Sequence, residues 1–132
     1  MPNYLLDTNM VTHILRENSN VLAKVSKLSV LDIGISSLTL AEISYGFAKK
    51  PEKVKMQRLF KELLLRLMVL PFDENIAHHY GAFKASIERQ GKSLAPLDLL
   101  IASHADAIGA ILVSNDKAFY QIPNLRVEDW TL

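Results

Sequence analysis

Residues 94–119 have the sequence pattern of a helix followed by a strand, and this unit restricts the possible folds more than any other stretch of the chain. Pro96 is a residue type favoured at the first position of a helix. Apolar residues then recur at helical spacing, and Gly109 ends the pattern. The run from Ala110 to Val113 is short, apolar and partly β-branched, which is typical of a buried strand. A helix leading into a buried strand predicts an α/β domain.

The rest of the chain repeats this alternation of short apolar strands with helical segments. Further strands are expected at residues 4–6, at residues 33–35, near residues 69–72 and within residues 125–130. Helices separate them, so a mainly parallel sheet is expected. The length of 132 residues suits one domain with one layered core, and we therefore predict a single domain over residues 1–132.

Four acidic residues stand beside these predicted strands and helices. Asp7 directly follows the first strand, Asp116 follows the strand of residues 110–113, and Asp98 lies in the first turn of the helix that Pro96 opens. Glu42 lies about one turn inside the helix expected after residues 33–35, with no basic residue three or four positions away. Each has an ordinary alternative: a helix cap, compensation of a helix dipole, or an exposed surface charge.

Taken together, the four acids predict a metal site. The carboxyl ends of parallel strands share one sheet edge, where Asp7, Glu42 and Asp116 can converge. Asp98 joins them only if its helix begins near that edge. The chain has no cysteine, and His104 falls on a different helix face from Asp98, so oxygen ligands and hence Mg²⁺ or Mn²⁺ are favoured over zinc. The chemistry that fits is metal-assisted phosphodiester hydrolysis.

Charge is nearly balanced overall but is unevenly distributed along the chain. The net charge is +1, yet one segment holds seven of the fifteen basic residues, whereas its only acids are Glu52 and Glu62. This segment could bind a polyanion, or it could simply be a solvated helix surface. Its seven basic residues are Lys49, Lys50, Lys53, Lys55, Arg58, Lys61 and Arg66.

Other features are less informative about function. No apolar run is long enough for a membrane helix, and the absence of cysteine suits a reducing compartment, so we expect a cytoplasmic protein with no membrane partner. The adjacent His78 and His79 cannot both bind one ion from a helix and are expected to be ordinary surface or core residues. The apolar residues between Leu59 and Leu67 fit either core packing or a contact with a partner chain.

Several short motifs follow one another along the chain: LLDTN at 5–9, SSLTLAEISYG at 36–46, PLDLLIASHA at 96–105, LVSNDKAF at 112–119 and LRVEDW at 125–130. Taken in order, they resemble a PIN-domain ribonuclease and more closely the VapC toxins of VapBC toxin–antitoxin pairs. The similarity covers essentially the whole chain, and it is the order and spacing of the motifs that make it specific.

The resemblance implies a three-layer α/β/α fold and a Mg²⁺-dependent or Mn²⁺-dependent endoribonuclease. The family's acidic residues carry over onto Asp7, Glu42, Asp98 and Asp116. Ser114, in a position where the family usually has Thr, keeps the hydroxyl that helps to order metal-bound water. Supporting roles are expected for Asn9, Ser114 and Asn115. Ala95, where many relatives have Gly, and Leu97, where other PIN branches have Asn, leave these carboxylates intact and bear on substrate choice.

The resemblance also implies partners. It implies a homodimer, a cognate VapB antitoxin that covers the site in a higher assembly, and operator DNA contacted only through the antitoxin. Relatives with this pattern cut initiator tRNA in the anticodon stem-loop, which makes tRNA the expected RNA substrate. Basic residues that could guide the RNA backbone are Lys49, Lys50, Lys53, Lys55 and Arg58.

Two other functions predict different residues at these positions. A non-catalytic PIN-like module that only binds RNA or protein would be expected to lack one or more of the four acids, and this chain keeps all of them. A metal-dependent phosphatase acting on small phosphoesters usually has a nucleophilic Asp in a DxDx[TV] run. Here Asn9 stands where the second Asp of that run would be.

Overall fold

A central sheet of five parallel strands organises the chain in a computed structural model that describes residues 1–132. The strands are β1 (Tyr4–Leu6), β2 (Ile33–Ser36), β3 (Met68–Leu70), β4 (Ile111–Val113) and β5 (Val127–Glu128). Their order in the sheet is β3-β2-β1-β4-β5, and every neighbouring pair is parallel. The expectation of an α/β domain with a mainly parallel sheet is thereby confirmed.

Six α-helices connect these strands, and they cover both faces of the sheet. The helices are α1 (Thr8–Leu15), α2 (Ser19–Val25), α3 (Ser37–Lys49), α4 (Val54–Leu64), α5 (Glu74–Arg89) and α6 (Pro96–Ile108). In strand β1, Leu6 belongs to a core formed with α1 to α4, whereas the preceding residue, Leu5, belongs to a second core formed with α5 and α6. Successive strand residues point to opposite faces, so the two cores give the expected three-layer α/β/α arrangement.

The helix ends follow local sequence signals in most cases. Asp73 caps α5 by accepting from the Ile76 amide, Pro96 is the first residue of α6, and Gly109 ends α6 at a φ of 69°. This positive φ favours glycine. For α3 the sequence pattern predicts Ser37 or Thr39 as the cap, and this prediction is wrong.

Ser36 is the actual cap of α3, and its hydroxyl accepts from the Leu38 amide at 3.1 Å. Strand β2 runs directly into the helix, so the last strand residue supplies the cap. The bounds of strand β3 also differ from the prediction. The strand begins at Met68 and ends at Leu70, which is earlier than the predicted range of 69–72.

The apolar stretch between Leu59 and Leu67 serves mainly as core. Phe60, Leu63 and Leu67 are buried in the core on the α1-to-α4 side, against which Leu59 also packs. Core packing is therefore the better of the two interpretations left open by the sequence. None of the helices combines the length and the apolar character that crossing a membrane requires.

The strand order places a switch point at the centre of the sheet. Strands β2 and β3 lie on one side of β1, and β4 and β5 lie on the other. The connections after β1 and after β4 therefore leave the sheet in a region where ligands commonly bind in open α/β folds. Leu6 of β1 is in register with Ile35 of β2 and Val113 of β4, so the residues that follow these three share one sheet edge.

Candidate functional site

Asp7 lies at the end of the central strand, and its side chain is almost completely buried. Its backbone amide donates to the Val113 carbonyl oxygen at 3.1 Å, which ties it to β4. Its Oδ1 atom accepts from the Met10 amide at 2.8 Å, so Asp7 is also the cap of α1. With only 4% of its surface exposed, the carboxyl group is removed from water without any basic partner.

Burial raises the pKa of Asp7 to about 6, and this is the largest influence on the group. The Ser114 hydroxyl and the Met10 amide lower the pKa, whereas the negative charges of Asp98 and Asp116 raise it again. A carboxylate held in this way gains from a nearby cation. The ordinary reading of Asp7 as a helix cap is correct, but it does not account for the two acids that face it.

Asp116 is placed by the turn that follows β4. The buried Ser114 accepts a hydrogen bond from the Asp116 amide at 3.0 Å, and the Ser114 amide donates to the Glu128 carbonyl oxygen of β5 at 2.9 Å. The Asp116 carboxylate then accepts from the Ala118 amide at 2.9 Å. This local network holds Ser114 and Asp116 at the same sheet edge as Asp7.

Asp98 enters the site from the first turn of α6. Burial, followed by the charges of Asp116 and Glu42, raises the pKa of Asp98. Asp98 also raises the pKa of Asp7 through its own charge. The start of α6 is therefore close to the carboxyl ends of the strands, which was the condition for including Asp98 in the cluster.

Glu42 reaches the site from α3 and is held there by a threonine. The Thr8 hydroxyl donates to Glu42 Oε1 in a short hydrogen bond between α1 and α3. Thr8 also lies 3.5 Å from the Thr39 hydroxyl. Sequence spacing left Glu42 without a partner, whereas the fold provides one from a residue next to Asp7. Thr8 therefore belongs to the site, and no sequence signal beyond its place beside Asp7 identified it.

The remaining predicted residues are placed differently. Asn9 and Asn115 are exposed, and neither side chain makes a hydrogen bond within the chain. His104 is buried on α6, with Nδ1 2.9 Å from the Ser36 hydroxyl oxygen. His78 is exposed, and His79 Nε2 lies 2.6 Å from Asp106 Oδ2. None of these histidines influences the pKa of Asp7 or Asp98.

We call the four carboxylates of Asp7, Glu42, Asp98 and Asp116 the acidic cluster. Its members act on one another electrostatically, but no three of them are already arranged to hold one ion. Asp7, Glu42 and Asp116 each accept a hydrogen bond from a protein donor. Assembling a coordination shell therefore requires these side chains to rearrange.

The donor set suits a hard divalent cation. All of its ligating atoms are carboxylate oxygens, and burial and mutual repulsion already penalise the ionised forms of Asp7 and Asp98. A cation such as Mg²⁺ or Mn²⁺ offsets both effects. The chemistry of these residues therefore fits a divalent metal, with Asp7, Asp98 and Asp116 at the sheet edge and Glu42 acting on Asp98 from α3.

A basic cleft adjoins the acidic cluster. It has a volume of about 310 Å³ between α1, α3 and α4, and Thr8 and Glu42 form part of its lining. Of the five basic residues predicted to contact RNA, Lys49, Lys50 and Lys53 line it. Lys55 and Arg58 lie outside the lining, and Lys55 is 3.8 Å from Glu17. Arg16 also lines the cleft, although its position outside the basic segment hid it in the sequence.

Comparisons of the sequence with known proteins identify one protein family and several relatives of similar length. The chain matches the family described as PIN domain over residues 4–125. It is 37% identical over 132 residues to ribonuclease VapC2 of Rickettsia felis, covering 96% of this chain and 97% of that protein. It is 32% identical to the tRNA(fMet)-specific endonuclease VapC of Salmonella typhimurium, covering 98% and 99% of the two chains.

Solved structures show the same similarity in three dimensions. A chain of VapBC2 from Rickettsia felis, bound to a DNA fragment from the promoter, superimposes with a TM-score of 0.87 at 34% identity, covering 96% of this chain and 98% of that one. A chain of DNA-bound VapBC from Salmonella typhimurium gives a TM-score of 0.88 at 32% identity, covering 98% and 99%. The fold is thus shared along nearly the whole length of these chains.

Proposed function

The chain belongs to the PIN-domain family, among its VapC ribonucleases, and on this premise we propose that it is the toxin of a type II toxin–antitoxin pair. It is a ribonuclease, and we infer that it is an endoribonuclease that depends on Mg²⁺ or Mn²⁺. The observation that carries this proposal is the convergence of four carboxylates from separate elements at one sheet edge. We further propose that residues 1–132 act as one PIN domain.

The acidic cluster is the proposed active site. Asp7, Asp98 and Asp116 would hold the divalent cation, directly or through water. When bound, the cation would neutralise charge on the phosphodiester and lower the pKa of a water molecule. Glu42 either joins these ligands or orients the attacking water. Because the Thr8 hydroxyl occupies Oε1, it is Oε2 that is left to accept a proton. Ser114 positions Asp116 and interacts with Asp7.

The reaction is hydrolysis at phosphorus. Water attacks in line, the bond between phosphorus and the 3′ oxygen breaks, and the products carry 5′-phosphate and 3′-hydroxyl ends. The substrate proposed here is tRNA, because a relative that is 32% identical is named as a tRNA(fMet)-specific endonuclease. Cleavage of initiator tRNA would inhibit translation, and it would take place in the cytoplasm.

The proposed partners follow from the same relatives. Solved VapBC complexes from Rickettsia felis and Salmonella typhimurium are 34% and 32% identical to this chain, and both are bound to DNA. We propose a VapB-type antitoxin that covers the site, a toxin homodimer, and operator DNA contacted only through the antitoxin. Light scattering of the chain alone and with the antitoxin would test this assembly.

The decisive experiment incubates the purified chain with total RNA, with and without EDTA, and adds back Mg²⁺ or Mn²⁺. Discrete fragments that require the metal and carry ligatable 5′-phosphate ends are expected. RNA binding without cleavage would instead favour a non-catalytic module. Hydrolysis of p-nitrophenyl phosphate without RNA cleavage would favour a phosphatase of small phosphoesters.

A further inference from the structure

The basic cleft has an unusual charge balance. Its lining includes four cationic side chains, Arg16, Lys49, Lys50 and Lys53, and Glu42 is the single acidic residue among them. None of the four cations forms an ion pair within the chain. Since like charges repel when they crowd together, this lining favours an anionic occupant that starts at the acidic cluster and extends away from it.

Tyr45 gives the same cleft an exposed aromatic ring. It lies on α3 three residues after Glu42, and the helical rise separates their Cα atoms by about 4.5 Å along the axis. Tyr45 as a residue is 62% exposed, and Lys49 Nζ lies 5.3 Å from the centre of its ring. Most of the ring's surface is therefore available to a ligand, and one cation is already beside it.

Exposed aromatic rings beside cations have an ordinary explanation, because a lysine can pack over a surface tyrosine without any functional role. Three observations together favour a ligand here. The ring borders a cleft, the cleft begins at the proposed active site, and its other polar residues are mostly unpaired cations. An aromatic platform combined with a cationic track is the arrangement that binds single-stranded nucleic acid.

We propose that Tyr45 stacks against an unpaired RNA base next to the scissile phosphate, while Lys49 and Lys53 contact the neighbouring phosphates. This inference rests on the proposed ribonuclease function and makes Tyr45 a residue that positions the substrate. It also predicts a preference for unpaired nucleotides, because a base paired within a helix has no free face to offer.

The first test compares Tyr45→Leu with Tyr45→Phe in the full-length chain, using tRNA as the substrate. Stacking on one base contributes enough for its loss to lower kcat/KM by about 5- to 100-fold in Tyr45→Leu. Tyr45→Phe keeps the aromatic face and should cleave like the unmodified chain. Equal rates for Tyr45→Leu and the unmodified chain would overturn the proposal.

A second test combines the Tyr45→Leu substitution with the removal of single bases from the RNA. Each base around the cleavage site is removed in turn by an abasic ribonucleotide. At one position, the loss of the base should lower the rate of the unmodified chain but cause no further loss in Tyr45→Leu. Losses that simply multiply at every position would show that Tyr45 does not contact a base, and would refute the proposal.

A binding measurement keeps the inference separate from the nuclease activity. The Asp7→Asn variant, which should not cleave, is titrated with a single-stranded oligoribonucleotide containing 2-aminopurine. Stacking should quench the fluorescence when Tyr45 is present and after Tyr45→Phe, and Tyr45→Leu should abolish the quenching. Quenching without cleavage by the unmodified chain would contradict the nuclease proposal and leave the stacking proposal supported. Equal quenching after Tyr45→Leu, or an effect of Tyr45→Leu on antitoxin binding alone, would contradict the stacking proposal.

Discussion

Asp98 acts on Asp7 at the carboxyl edge of the sheet, although the two residues stand 91 positions apart in the chain. Asp7 follows the central strand, and Asp98 belongs to the first turn of α6. The charge of Asp98 raises the energy of the ionised Asp7 carboxylate, in addition to the larger effect of burial. The site is therefore maintained against electrostatic repulsion, and stability and activity should respond in opposite directions to changes in it.

Asp7→Asn should abolish RNA cleavage and growth arrest while stabilising the fold. Because the pKa of Asp7 is raised from 3.8 to about 6, the folded chain loses stability as pH rises between these values. Asparagine removes the charge and can still cap α1. At pH 7.5 the free energy of unfolding should rise by about 1 to 3 kcal/mol, measured by urea denaturation. A variant that cleaves RNA normally would refute the assignment of Asp7.

Divalent cations should stabilise the unmodified chain by binding the acidic cluster. At ten times the dissociation constant of Mg²⁺, the expected gain is about 1.4 kcal/mol, which a thermal melt would show as a rise of a few degrees. Asp98→Asn should weaken or remove this shift. Asp106→Asn is a matched control on the same helix, because Asp106 pairs with His79 instead of joining the cluster. Equal shifts in both variants would contradict the proposed site.

Thr8→Val should impair catalysis more than binding of RNA. Valine has nearly the shape of threonine but cannot donate to Glu42, so the carboxylate loses the contact that holds it between α1 and α3. We expect kcat to fall by roughly tenfold with a smaller change in KM. Thr8→Ser keeps the hydroxyl and should restore most of the rate. A loss that is the same for valine and serine would show that the hydrogen bond is not the cause.

The basic segment should divide into residues that contact RNA and residues that do not. Lys49→Gln and Lys53→Gln should raise KM and reduce the dependence of binding on salt, because both residues line the cleft. Lys55→Gln and Arg58→Gln remove the same charge from the same segment but lie outside the lining. Their effects should be much smaller, measured by fluorescence anisotropy with labelled tRNA at several salt concentrations. Equal effects from all four variants would favour a general charge effect over a defined track.

The sequence was most informative where structure is determined locally. Caps, the proline at the start of α6 and the glycine at its end depend on neighbouring residues, so the order of elements could be predicted. Asp7 and Asp116 could be placed because Asp7 directly follows β1 and Asp116 lies three residues after the end of β4. The bond from Thr8 to Glu42 and the contribution of Arg16 to the cleft depend on how α1, α3 and α4 pack. Spacing along the chain carries no signal for such contacts.

His104 gives a further example of what packing decides, and it leads to a prediction about pH. Its ring is fully buried, Nδ1 contacts the Ser36 hydroxyl, and Nε2 has no partner. Burial lowers the pKa of His104, and the charge of Asp73 opposes this only in part. The folded chain therefore takes up a proton at His104 less readily than the unfolded chain, whose histidine becomes protonated below the ordinary value of 6.5.

Stability should consequently fall as pH drops below 6.5, because protons bind more strongly to the unfolded chain. In the unmodified chain this fall is partly hidden, since Asp7 contributes a gain in stability as pH falls below its pKa of about 6. The Asp7→Asn background removes the contribution of Asp7, while the raised pKa of Asp98 still adds some stability as pH falls. Urea denaturation of this variant at pH 7.5 and pH 5 should show the loss clearly, and adding His104→Gln should reduce it. An unchanged dependence on pH after the second substitution would show that another group is responsible.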